Sequence, residues 1–362
     1  MTKTKLRIFM VALALLFGCS GISARRAAGG NIRVLVLKGA QALTIKNADN
    51  TKSFEVKKTS PGRASVNGTD TALPHRFFPN KGYIYMNNRP YAGSIEVFDN
   101  GAGLLAINEV QLETYLAGIL NNEISTKWPA DALKTQVVVA RTYALYQKKK
   151  RLKENYHIEG SVMGQVYTGV GGEDAAALKA VRDTIGEVLN YNGEPALTVY
   201  HSNAGGMTED SKDVWGVSAP YLRPVESKYD GIAPKYLWEH VTPAMFLKDA
   251  LNLAGYDIGD IEDITVDLTS ASGRVKRITV RDRNGKKLSM TGEDLRKAAG
   301  YSNVRSTLFI VSRDGNSFVF KGRGSGHGVG LSQWGAKVMA EKGDSYKEIL
   351  RHYYPGTVLG KA

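Results

Sequence analysis

The stretch N-N-E-I-S-T-K-W-P-A-D-A-L-K-T-Q-V-V-V-A-R-T-Y-A-L, Asn121 to Leu145, decides how the chain is read. Pro129 suits the first position of a helix, where its missing N–H costs nothing and its φ is already helical. Leu133, Val137, Ala140 and Ala144 then recur at spacings of three and four, which predicts one apolar face of a long buried helix. Glu123 stands in a polar break just ahead of it. That position suits a catalytic acid, and equally an ordinary helix-flanking glutamate.

Upstream, short apolar-alternating runs predict strands at Ile32–Leu37, Ala42–Lys46, Ser53–Lys57, Tyr83–Met86, Ser94–Phe98 and Leu104–Ile107. Gly, Asn, Asp and Pro clusters separate them, so residues 31–108 form a β-rich N-terminal region. Asn108 is read as the cap of a helix with Glu109 in its first turn and Val110, Leu112, Tyr115, Leu116 and Ile119 on its apolar side. Downstream lie a helix near Glu173–Ile185 and strands at Val188–Tyr191 and Ala196–Tyr200. The last runs into H-S-N-A-G-G-M-T-E-D, residues 201–210, a place where a loop can present functional groups or simply turn. The whole reads as α+β: a 109–240 core built on the long helix, a 241–320 α+β insertion lobe, and a 321–362 segment completing the core.

That last segment opens with G-R-G-S-G-H-G-V-G-L-S-Q-W-G-A, residues 322–336. Glycine at every second position predicts an extended backbone with one bare face. Arg323, Ser325, His327 and Val329 then project from the other. It is neither a dinucleotide fingerprint nor a P-loop, since the flanking elements and a closing G-K-[ST] are missing.

Residues 1–24 form an export signal, with Lys3, Lys5 and Arg7 ahead of the apolar run Ile8–Phe17. Two exits are open: cleavage after Ile22-Ser23-Ala24, or lipidation at Cys19, because Leu16-Phe17-Gly18-Cys19 resembles a bacterial lipobox. Cys19 is the only cysteine, which excludes a disulfide and a cysteine-based metal site in the folded part. Three of the +13 net charges lie in this signal, leaving +10 on the remainder. In an exported protein that balance favours a polyanionic envelope polymer or an anionic membrane surface over nucleic acid. The six histidines (75, 157, 201, 240, 327 and 352) show no metal-ligand spacing. Ser202 and Ser325 lack a nucleophile elbow.

Taken in order, N-N-E-I…W-P-A-D-A-L-K-T-Q-V-V-V-A-R-T-Y-A-L, Q-V-Y-T-G, Y-H-S-N-A-G-G-M-T-E-D, S-G-R-V-K-R-I-T-V, G-E-D-L-R, G-R-G-S-G-H-G-V-G-L-S-Q-W-G-A and Y-K-E-I-L-R-H-Y-Y-P-G-T resemble the stage II sporulation protein D (SpoIID/LytB) family over residues 90–360. The resemblance implies a lytic transglycosylase that cuts peptidoglycan glycan strands already stripped of peptides, with Glu123 as the catalytic glutamate. A single carboxylate suffices there, because the sugar's own C6 hydroxyl can attack. Its pKa should be raised by apolar neighbours, for which Leu120, Ile124 and Trp128 are candidates. Tyr200, His201, Ser202, His327, Gln333 and Arg323 are expected to bind substrate. His327 would lie on the wall opposite Glu123, and Arg141 is expected to be structural or a carboxylate partner. Many family members carry cysteines, associated with zinc, where this chain has Met163-Gly164 and Ala204, so neither metal nor other cofactor is expected. The alternatives are a non-catalytic glycan-binding or amidase-activating envelope protein, and a hydrolase with Asp131 or Glu209 as second carboxylate. Expected partners are glycan strands, a peptidoglycan amidase and, through a lipid on Cys19, a membrane.

Overall fold

The structure, a computed structural model, describes residues 29–161, 164–171 and 174–362. The signal segment, Cys19 and Met163 lie outside these residues. The fold is mixed α+β, with eight helices and several sheets among the described residues.

The N-terminal strands alternate as period-two segments must. In Ala42–Asn47, Leu43, Ile45 and Asn47 are buried while Thr44 and Lys46 are less so. The strands form a six-stranded sheet (residues 42–92) and a five-stranded one that pairs Asn31–Ala40, Leu104–Gln111, Ser94–Asp99 and His75–Phe77 and adds Ile158–Glu159 in parallel. Asn108 and Glu109 are strand residues here and cap no helix. The buried Asn108 amide spends its donors on the carbonyls of Ala92 and Ser94 and accepts from the Tyr167 hydroxyl. Helix α1 begins four residues later and spans Leu112–Glu123.

Glu123 is therefore the last residue of α1, not part of a break. The chain turns extended at Ile124, and Pro129 precedes α2 (Ala130–Lys150) as its cap. Helix α2 is buried on more than the face its periodicity announces. Leu133, Val137, Ala140 and Ala144 join the core of the β-rich region and α1. Val138 and Val139 enter a second core with Leu189, Leu222, Val329, Leu331 and Tyr353. Arg141, fully buried, closes both nitrogens of its fork on Glu113 at 2.9 and 2.7 Å and donates to the Glu187 carbonyl. It is a structural carboxylate partner.

Two short helices follow, α3 (Ala175–Asp183) and α4 (Ser211–Trp215). Residues 196–199 do not form a strand. Their polar groups go to the Leu189 and Val139 carbonyls, the Tyr221 and Tyr354 hydroxyls and the Leu331 N–H. Only Tyr200–His201 pairs, in parallel with Leu331–Ser332. From Leu237 to Arg323 the chain packs around a third core that includes Trp238, Leu251, Ile278, Leu295 and Phe320. Strand Leu237–Pro243 leaves and strand Ser317–Arg323 returns side by side. Between them lie α5 (Ala244–Leu253) and α6 (Gly292–Ala299). Helices α7 (Gln333–Glu341) and α8 (Tyr346–Tyr353) then complete the second core.

This inserted lobe is latched to the core by polar groups. Buried Arg274 donates to the carbonyls of Ala204 and Met207, and Ser272 donates to Glu209. Residues 324–330 lie at that junction and are not extended: Gly324, Gly326, Gly328 and Gly330 all have φ between +72° and +108°. A Cβ on Gly326 would meet His201 at 2.6 Å, on Gly328 the Arg274 guanidinium at 2.6 Å, and on Gly330 the Val199 carbonyl at 2.2 Å. The glycines thus answer three separate close approaches, and Val329 is buried rather than presented.

Candidate active site

A half-open cavity of about 630 Å³ lies where core, lobe and the 324–330 loop meet. Glu123 lines it, together with Tyr200, His201, Ser202, His327 and Gln333. Arg323 is not among the lining residues; it sits exposed in the lobe's returning strand, opposite Leu237.

Glu123 is held by the Q-V-Y-T-G segment. The Val166 N–H donates to its Oε1 at 2.9 Å, and the Asn122 amide beside it reaches the Val166 carbonyl and the Thr168 hydroxyl. Burial pushes the Glu123 carboxyl above the ordinary carboxylate range; the Val166 N–H and the Tyr200 hydroxyl, which favour the ionised form, only temper this. The carboxyl end of α1, where helix dipoles disfavour negative charge, acts in the same direction as burial. Leu120 and Ile124 are buried in the core and Trp128 packs edge-on against Trp334 at 5.0 Å, so none of the three lines the cavity. The apolar lining comes instead from Val166, Val199 and Tyr143.

Behind Glu123 runs a chain of buried donors. Tyr115 donates to Gln165 Oε1 at 2.9 Å, which fixes the amide so that Nε2 points at the Ala140 carbonyl and the Tyr200 oxygen, 3.5 Å away. With its oxygen accepting from Gln165, Tyr200 has its own proton left for Glu123. Burial raises the pKa of both tyrosines, keeping them protonated donors. Gln333 acts on the backbone, with Nε2 near the Glu123 carbonyl and Gln136 Oε1.

The two histidines are neutral by construction. His327 Nδ1 accepts from the Val329 N–H, so Nε2 carries the proton and donates to the Tyr200 carbonyl at 3.0 Å. Burial lowers its pKa to about 4. His201 donates through Nδ1 to the Val329 carbonyl at 3.1 Å, and its buried Nε2 has no partner among the described residues. Burial lowers its pKa well below the ordinary value as well. The His327 ring also packs against His201 and Trp215, at 5.3 and 5.0 Å between centroids.

Trp215, Tyr143, Val166 and, from the lobe, Glu293, Arg296 and Tyr301 line the cavity without having been singled out from sequence. Arg296 belongs to the G-E-D-L-R motif, which was visible but had no role. Asp131 and Glu209 are elsewhere: Asp131 caps Tyr346, and Glu209 is buried in the latch. Among the described residues a zinc ion does not fit. Ala204 is an alanine inside the latch, a Cβ on Gly164 would strike the Glu159 carbonyl, and no three His, Cys, Asp or Glu side chains gather among the described residues.

Fold and cleft together define a class: an α+β protein with a buried carboxyl of raised pKa in a groove walled on one side by an inserted lobe. Comparison with known proteins supplies its family. The profile described as "Stage II sporulation protein" matches residues 100–191, and a profile for a domain of unknown function matches residues 232–330. Stage II sporulation protein D of Bacillus amyloliquefaciens is 32% identical over 274 residues, covering 71% of this chain and 76% of that protein. An uncharacterized protein of Brachyspira hyodysenteriae is 33% identical over 275 residues, 75% of this chain and 72% of its own length. The amidase enhancer of Bacillus subtilis is 31% identical over 292 residues, 67% of this chain and 40% of its own length. The chain belongs to the stage II sporulation protein D family.

Proposed function

We propose that the protein is a peptidoglycan lytic transglycosylase that cleaves peptide-stripped glycan strands between N-acetylmuramic acid and N-acetylglucosamine. Family membership supports a cell-wall role. The observation that carries the activity is Glu123, a carboxylic acid with raised pKa lining a groove large enough for sugars. Protonated Glu123 gives its proton to the bridging oxygen as the C1–O bond breaks. The resulting carboxylate takes the proton of the muramic acid C6 hydroxyl as that oxygen closes on C1. Acid and base alternate on one residue, no water is consumed, and the product ends in an anhydro ring. We further propose that the chain is exported to the cell envelope and lipid-anchored through Cys19.

The name of the Bacillus subtilis relative, amidase enhancer, favours a second reading in which the groove binds glycan and stimulates an amidase without cutting. Mass spectrometry of digested, peptide-stripped glycan separates the two. The transglycosylase gives anhydromuramyl ends, and Glu123→Gln lowers their rate of formation by roughly a hundredfold or more. Reducing ends would point to hydrolysis, with Glu293 as the second carboxylate of the cavity. Uncut glycan with retained binding would leave the amidase reading.

A further inference from the structure

The lobe supplies one wall of the cleft, and that wall is built around a cation. Helix α6 starts with a reciprocal cap between Thr291 and Asp294 and is seated by fully buried Leu295, so the direction of Arg296 is set. Arg296 is 7% exposed. Its Nε holds the Val304 carbonyl at 2.9 Å, and its guanidinium lies 4.5 Å from the centre of the Tyr301 ring. Nη1 reaches Glu293 at 3.3 Å, a long contact to a side chain that is 36% exposed. Nη2 has no hydrogen-bond partner among the described residues. The positive charge is felt across the groove, where it helps to hold both His201 and His327 neutral. A planar donor, stacked and oriented, on a residue that lines the cavity can receive a carboxylate.

We propose that Arg296 binds the free lactyl carboxylate of muramic acid, with Tyr301 as the platform for the adjoining sugar, so that the lobe senses whether the stem peptide has been removed. This rests on the glycan-strand reading above. In an intact strand the lactyl group is an amide and has no charge to offer; after peptide removal it is an anion that can take Nη2 and displace Glu293 from Nη1. The lobe then discriminates between substrates while Glu123 performs the chemistry.

The test is equilibrium binding of the full chain carrying Glu123→Gln, so that no cleavage intervenes. The two polymers are peptide-stripped glycan and the same glycan with its carboxyls converted to methyl amides. The parent should prefer the carboxylate polymer by roughly tenfold, the worth of one charge-assisted hydrogen bond. Arg296→Gln should abolish the preference, Arg296→Lys should keep part of it, and Glu293→Gln should increase it by removing the competing anion. Equal binding of the two polymers by the parent, binding of neither, or a preference that survives Arg296→Gln would overturn the proposal; the last would mean that the overall positive charge makes the choice. Should Arg296→Gln unfold the lobe, as a melting curve would reveal, the opposite responses of Arg296→Lys and Glu293→Gln decide. Failure of the transglycosylase reading has a different signature: uncut glycan with intact Glu123, alongside an unchanged binding preference.

Discussion

At Glu123 burial and hydrogen bonding act in opposite directions, and burial prevails. Deprotonation then removes activity as the pH rises through a pKa above the usual carboxylate range. Because the Tyr200 hydroxyl favours the ionised form, Tyr200→Phe should move this basic limb to still higher pH; a rate profile against pH measures the shift. The same imbalance affects stability. A carboxyl whose folded pKa is raised costs stability once the pH passes its unfolded value of about 4.5, and costs nothing below it. Glu123→Gln should therefore raise the melting temperature near neutral pH, and the gain should vanish in acid. A gain that grew in acid would contradict the raised pKa.

Among the elements, α2 carries the stability and the glycine loop carries the shape. Arg141→Met leaves the part-buried Glu113 without its fork and should cost about 3 kcal/mol in denaturant unfolding, with no direct effect on the groove. Gly330→Ala adds a Cβ 2.2 Å from a carbonyl at φ +72°, whereas Gly193→Ala at φ +81° meets nothing within 4 Å. Both suffer the backbone strain, and only the first should also weaken glycan binding, by displacing His327. Much of this layer was legible. The strand periods, the α2 face and the two motifs that meet at Tyr200–Leu331 could all be read along the chain. Strands Arg63–Val66 and Thr69–Ala72 were not, because polar hairpins offer no apolar alternation. The end of α1 looked like a break because N-N-E is polar, while the Asn122 amide in fact bonds back to the Gly118 carbonyl. Alternating glycines imitate a strand in sequence, and only the folded backbone shows that Gly322 belongs to one while Gly324, Gly326, Gly328 and Gly330 are left-handed. Arg296 was hidden for another reason: nothing in α6 itself reveals which wall its lobe will face.

Among the described residues, burial lowers the pKa of four histidines, His157 and His327 to about 4, His201 well below 6.5 and His240 also below it. Their contribution is complete above pH 6.5 and is lost as the pH falls towards 4, since the unfolded chain takes up protons first. The denaturation midpoint should decline across this window, and His157→Gln, at a residue that does not itself line the groove, should flatten part of the decline. The junction of core, lobe and glycine loop has a consequence in time. Gly328 seats on Arg274 and Gly330 on Val199, so the loop has nowhere to dock until both bodies have formed. The contacts that close it join residues 127 and 210 positions apart, His327 with Tyr200 and Gln333 with Glu123. Such distant pairings assemble slowly. The approach of Trp334 to Trp128, 5.0 Å apart in the finished fold, gives that last event a fluorescent reporter. In refolding, circular dichroism should recover ahead of the tryptophan signal, and glycan binding should follow the tryptophans. A chain stopped between the two phases has its helices, its sheets and its glutamic acid, but no groove around it.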